Sequence, residues 1–147
     1  MASISSRHED RNMNRTIFWI RLVFVLGGLY DLLAGIVFLL FANAIYHRAG
    51  ITFPSHPAYV QLPAVVIMVF GAMFFQIAYD PKANRNMMPY ALAFKASYCL
   101  VILSHAVAHN MPFLLLPFAW ADIVFFVLFA AAYRATGANP EAMPASS

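Results

Sequence analysis

Apolar residues along this chain fall into four long blocks with no two-residue alternation inside them. The blocks run from about Ile17 to Ala42, Tyr59 to Tyr79, Pro89 to His109 and Pro112 to Arg134. Each approaches or exceeds the ~20 residues that carry a helix across ~30 Å of hydrocarbon. Lipid offers no partner to a free backbone group, so a spanning segment must be a helix or part of a closed barrel. A barrel would show short strands of period two, and the blocks contain none. The pattern predicts an all-α integral membrane protein, a four-transmembrane-helix bundle covering residues 17–134. Residues 1–16 and 135–147 are expected to be polar, mobile tails.

The separators agree with that division. Asn43 to Ala58 reads NAIYHRAGITFPSHPA, rich in Gly, Pro and His, and Asp80 to Asn86 reads DPKANRN. Asn110, Met111 and Pro112 leave only a tight turn before the last block. Pro63 falls in the first turn or two of the second span, where a missing N–H costs little. Pro117 falls deeper in the fourth and is expected to kink it or widen its first turns.

Composition sharpens the picture. The 147 residues are 63% apolar and only 10% charged, whereas soluble domains are about half apolar and a quarter charged. One compact domain suffices for this length. The single cysteine, Cys99, excludes an intrachain disulfide and a cysteine-based zinc site; within an apolar run it reads as an inert buried thiol. No arginine-rich stripe with interleaved aromatics points to nucleic acid. Nucleophile elbows, phosphate loops and dinucleotide fingerprints are also lacking, and an enzymatic role is the less favoured reading.

The cations set an orientation. Arg7, Arg11, Arg15 and Arg21 precede or begin the first span, Lys82 and Arg85 lie in the second loop, and Arg134 ends the fourth. Only Arg48 belongs to the opposite side. The positive-inside rule therefore predicts both termini in the cytoplasm, and the whole reads as a multi-pass protein of a bacterial inner (plasma) membrane. Ala42-Asn43-Ala44 resembles a signal-peptide cleavage site, but the apolar region before it is too long for a signal core and holds Asp31. A retained anchor is the expectation.

Three charges inside the blocks carry the candidate chemistry. Asp31 lies about midway along the first span and Asp122 about midway along the fourth. Those spans run in opposite directions, so both aspartates reach the bilayer centre. Lys95 enters on the third span roughly 9 Å deep, and its stem could reach the aspartates or snorkel to the headgroups. A lone charge at the centre costs at least ~2.5–3.5 kcal/mol on insertion scales, so the cheapest arrangement turns all three inward. Two aspartates facing one lysine leave one carboxylate over, which a proton would balance.

Helical spacing extends the group. Lys95, Tyr98, Ile102, His105 and His109 recur at steps of three and four and form one stripe. Gly27, Asp31 and Gly35 are four apart, and small residues beside the aspartate let another helix approach closely. The expected polar seam is Asp31, Lys95, Tyr98, His105 and Asp122. It has a structural reading, as interhelical hydrogen bonds that fix register, and a functional one, as a cavity for a lipid-like ligand, a quinone or a proton path. A protein interface is the third.

The histidines form a weaker group. His47 and His56 lie in the first loop, while the pair His105 and His109 could hold a metal or a haem. No acidic ligand lies close in sequence and no zinc spacing is matched, so hydrogen-bonded histidines near an interface are the ordinary explanation. Tyr46, Tyr59, Tyr79, Tyr90 and Tyr133 all fall near span ends, as an interfacial belt requires. Gln61 and Gln76 lie near opposite ends of the second span, where both reach headgroups.

Several segments together carry a resemblance. YDLLAG, HPAYVQLPAVVIMVFGAMFFQIAYDP, NRNMMPYALAFKASYC and PFAWADIVFFVLFAAAYRA, spread from about Leu26 to Arg134, resemble a widespread family of small bacterial four-helix inner-membrane proteins, loosely DoxX-like. The resemblance implies the fold and the location, and it implies that Asp31, Lys95, His105 and Asp122 occupy recurring family positions. It supplies no reaction and no ligand; the DoxX likeness is one of layout. Binding or accessory work through the seam is therefore expected, with a redox or quinone-linked component and a small proton-coupled carrier as the alternatives. The residues call for no cofactor, and a quinone or haem enters only through those alternatives. Expected partners are the lipid bilayer, a membrane-protein complex or a second copy of the chain meeting through Gly-containing faces, and no nucleic acid.

Overall fold

A computed structural model describes the backbone of residues 3–108 and 113–137 and the side chains of residues 11–108 and 114–137. Four helices make the fold: α1 (Ser3–Arg48), α2 (Ala58–Tyr79), α3 (Met88–Val107) and α4 (Leu116–Gly137). Short 3-10 turns, Arg85–Met87 and Phe113–Leu115, lead into α3 and α4. All four helices are long and apolar enough to cross a membrane. The third block ends earlier than the pattern suggested, and His109 and the turn Asn110–Pro112 lie outside the described residues, as do residues 138–147.

Each helix stops for a local reason. Beyond α1, Gly50 adopts φ 68°, a left-handed conformation that glycine enters without a Cβ clash. Ile51 N–H then donates to Tyr46 C=O and Gly50 N–H to His47 C=O, the paired bonds of a Schellman cap. Asp80 ends α2 in an extended conformation (φ −141°, ψ 94°), because Pro81 disfavours the helical region at the residue before it. Its Oδ1 accepts the N–H groups of Lys82 (3.1 Å) and Ala83 (3.0 Å). Asn84 Nδ2 donates to the carbonyls of Gln76 and Asp80, both at 3.0 Å.

Two expectations need correction. Residues 3–16, expected as a polar and mobile tail, continue α1 as one helix. Their polar composition hides this, because a helix surrounded by water needs no apolar face. Pro117 does not kink the middle of a span either. It is the second residue of α4, which starts after the 3-10 turn, and a proline there lacks only an N–H that would have no partner anyway.

The bundle is two antiparallel hairpins, α1 on α2 and α3 on α4, joined mainly by α1 against α4. Backbone proximity sets the α1–α2 register. A Cβ added at Gly28 would lie 2.9 Å from Gly71 O, and one at Gly71 would lie 3.0 Å from Gly28 O. Seven residues on, a Cβ at Gly35 would meet Ala64 O at 2.7 Å. Climbing seven residues on α1 thus descends seven on α2, which puts Tyr79 level with about Ile20. The first 17 or so residues of α1 therefore project roughly 25 Å past the end of α2. Gly27 faces elsewhere, toward the Phe129 ring of α4; the glycines flanking Asp31 serve two different helix contacts rather than one.

Because the Gly28–Gly71 crossing has no room for a side chain, Gly28→Leu is expected to prise α1 from α2. Overpacking of this kind costs about 1–3 kcal/mol. The check is the detergent-unfolding midpoint followed by circular dichroism, with Leu33→Ala, on the outward face, as the control. Equal midpoints for the two variants would dismiss the crossing as a determinant of the fold.

The buried core is lopsided. Ile20, Phe24, Phe74, Ile77, Met88, Ala91, Phe129 and Ala132 fill the half of the bundle next to the α2–α3 loop. Phe24 stacks on Phe129 at 4.3 Å, and Phe74 meets Phe129 edge-on at 4.9 Å. In the half next to the α1–α2 loop the buried apolar residues among those described are Ala42, Val60, Ala64, Ile102 and Ala119, most of them small. The three membrane charges lie where the dense half gives way to the loose one.

Candidate functional site

Lys95 on α3 is the centre of the site. Its Nζ donates to Asp31 Oδ1 of α1 and to Asp122 Oδ1 of α4, each at 2.6 Å. Relative exposure is 1% for Lys95, 2% for Asp31 and 6% for Asp122, so no part of this ion triad reaches the lipid surface to any extent. Short charge-assisted bonds are among the strongest a side chain makes, and here they tie three helices at one level. The lysine does not snorkel; its stem runs inward.

Four aromatic rings enclose the ammonium. Nζ lies 5.1 Å from the centroid of Tyr30, 5.4 Å from Phe94, and 5.7 Å from both Phe74 and Phe125. Ring faces carry negative charge density and attract a cation at such distances. The sequence gives little warning of this cage, since phenylalanine is as common on lipid-facing positions as on buried ones. The only available signal is that Tyr30 adjoins Asp31 and Phe94 adjoins Lys95.

One polar atom of the triad is unmatched: Asp31 Oδ2 is buried and has no hydrogen-bond partner. Beside the triad is a cavity of about 50 Å³, lined by Tyr30, Asp31, Phe38, Lys95, Tyr98 and Asp122 among others. A water needs ~10–15 Å³ by this measure, so the space holds three or four waters or the small polar end of a larger molecule. A porphyrin is far too large for it. Phe38 and Phe118, 5.6 Å apart, border the cavity toward the loosely packed half.

The seam residues thus divide. Asp31, Lys95 and Asp122 meet directly, and Tyr98, one turn along α3 from Lys95, borders the cavity. His105 does not join them: it lies exposed on α3. Steps of three and four drift around a helix, and ten residues turn through about 1000°, leaving His105 some 80° from Lys95. His109, the expected second member of that pair, lies outside the described residues. Among the described residues, no group of three or more His, Cys, Asp or Glu is placed to hold a metal. His47 and His56 are exposed in and beside the α1–α2 loop, where His56 Nδ1 accepts the Ala58 N–H at 3.2 Å. Cys99 is only partly buried and lies one residue beyond Tyr98 without lining the cavity.

No protein-family model, curated protein or solved structure matches this chain. The functional reading therefore rests on the geometry of the triad and its cavity.

Proposed function

We propose that this protein resides in a bacterial inner membrane with both termini in the cytoplasm, and that it binds the polar head of a lipid-soluble molecule at the Asp31–Lys95–Asp122 triad. Arg11, Arg15, Arg21, Lys82, Arg85 and Arg134 gather at the α2–α3-loop end of the bundle, and Arg48 stands at the other; the positive-inside rule orients the chain accordingly. The likeness of its segments to small bacterial four-helix membrane proteins supports the same location.

The observation that carries the binding reading is the unpartnered Asp31 Oδ2 beside a cavity. A buried acceptor without a donor costs about 1–3 kcal/mol, and more when charged. Lys95 has three N–H donors and the aspartates take two. A hydroxyl or amide head entering the cavity would donate a hydrogen bond to Oδ2 and accept one from Nζ. Its apolar remainder would lie between the helices of the loose half, where the packing is thinnest.

The test is mass spectrometry of the intact protein released from gentle detergent. The expected result is a small molecule bound to the parent and missing from the shape-matched variant D31L/K95M/D122L. The same adducts on both proteins, or none on the parent, would remove the reading. The mass also decides whether the ligand is a quinone, and co-purifying subunits would mark an accessory role.

A proton-coupled carrier is the second reading, favoured by the charge count of two carboxylates against one ammonium. It requires flux in proteoliposomes that follows an imposed pH gradient, survives Asp31→Glu and stops in Asp31→Asn.

A further inference from the structure

The charges around the cavity narrow what the triad can hold. Asp31 and Asp122 share a single ammonium, Lys95 Nζ, at 2.6 Å each. Among the described residues no other ionised side chain lines the cavity, so the cluster is one negative charge in excess. Asp31 is 2% exposed and Asp122 6%; water screens that excess poorly, and a buried charge without a counter-charge is costly. A proton on one carboxylate would cancel it but fill none of the cavity. An anionic head would enlarge the imbalance, and a neutral hydroxyl would leave it unchanged. An organic ammonium cancels the charge and also gives Asp31 Oδ2, buried and without a partner, the donor it lacks.

The cavity wall suits a second cation. Phe38, Tyr98 and Phe118 line it and are not among the four rings around Nζ. The Phe118 centroid lies 5.6 Å from that of Phe38 and 6.4 Å from that of Tyr30, so aromatic rings of α1 and α4 stand together there. Ring faces attract organic ammonium ions, whereas a bare metal ion asks for several oxygen ligands, which a wall of rings does not supply. Phe38 follows Asp31 on α1, Tyr98 follows Lys95 on α3, and Phe118 precedes Asp122 on α4. All three therefore lie on the α1–α2-loop side of the triad, in the loosely packed half.

We propose that the molecule bound at the triad is a lipophilic primary amine, held as its ammonium ion, an assignment that rests on ligand binding at the triad as set out above. The ammonium donates to Asp31 Oδ2, and its chain runs past Phe38 and Phe118 into the loose half. At that position it meets two carboxylates and one ammonium, so attraction outweighs repulsion. An oxygen close to the nitrogen would accept the Nζ hydrogen that neither aspartate takes. A nitrogen carrying three methyl groups keeps the charge but has no N–H for Oδ2, and it is bulkier in a space of about 50 Å³.

The test is titration calorimetry of the full-length protein in phosphatidylcholine nanodiscs at about pH 7, where an alkylamine is protonated as lysine is. The probes are hexylamine, 1-hexanol and hexyltrimethylammonium, which share one chain and differ in the head. The same nanodiscs carrying D31L/K95M/D122L give the heat of partition into lipid, which is subtracted. Hexylamine is expected to bind about tenfold more tightly than either other probe, the ratio by which a charged hydrogen bond ordinarily outweighs a neutral one. Asp31→Asn keeps the side-chain shape and removes the excess charge. It should weaken hexylamine about tenfold and move 1-hexanol by less than about threefold, with an unchanged circular dichroism spectrum. Equal affinities for 1-hexanol and hexylamine in the parent would overturn the amine and leave a donor head at Oδ2 standing. Equal affinities for hexyltrimethylammonium and hexylamine would overturn it too, as would hexylamine binding that Asp31→Asn does not weaken. Failure of the binding reading itself looks different: none of the probes would then give more heat with the parent than with the triple variant. The amine-to-alcohol ratio in the parent decides the matter even if Asp31→Asn does not fold.

Discussion

Lys95→Met is expected to unfold a large share of the protein. Removing the ammonium leaves two buried carboxylates facing each other inside four aromatic rings, with no donor for either. Breaking a buried ion pair by deleting one partner typically costs about 3–5 kcal/mol, because the remaining charge is left uncompensated. Lys95 answers two charges at once, both at 2.6 Å, so the upper part of that range applies. The measurement is the midpoint of unfolding in a detergent titration at fixed lipid content. An unchanged midpoint would mean that the triad contributes nothing to holding α1, α3 and α4 together.

Deleting all three charges is expected to reverse that loss. In D31L/K95M/D122L each leucine keeps the branching of the aspartate it replaces, and methionine keeps the unbranched stem of lysine. Replacing a buried ion triad with apolar residues of similar shape is commonly neutral, or stabilising by about 1–4 kcal/mol. The leucine at position 31 also removes the unpartnered Oδ2. The triple variant should therefore unfold at or above the parent's midpoint, several kcal/mol beyond Lys95→Met. A triple variant as weak as the single one would show that the charges are needed for the fold itself.

Much of this arrangement was legible in the sequence, and the parts that were not share physical causes. The meeting of Asp31, Lys95 and Asp122 could be read from depth alone, since three charges near the middle of apolar blocks have few inexpensive places to go. The spans could be read because a bilayer imposes one length on every crossing. His105 was misplaced because a period of 3.6 residues carries a three-and-four series gradually off its starting face. The split between Gly27, which admits the Phe129 ring, and Gly28, which admits the Gly71 backbone, depends on which partner lies on each side of α1. Composition holds no record of that. The aromatic cage escaped notice because lipid and protein interior both accept phenylalanine, and only packing distinguishes them. The helical course of residues 3–16 is not marked by any apolar stripe, because a polar composition is compatible with helix and coil alike.

The unbroken α1 has a mechanical consequence. From Ser3 to Arg48 it contains no proline, and the Gly27–Gly28 pair, the other usual place for a kink, is packed against Phe129 and Gly71. If α1 turns as one rigid rod, rotation of its outer arm also turns the carboxylate at position 31. Whatever grips that arm would act directly on the innermost charges of the bundle.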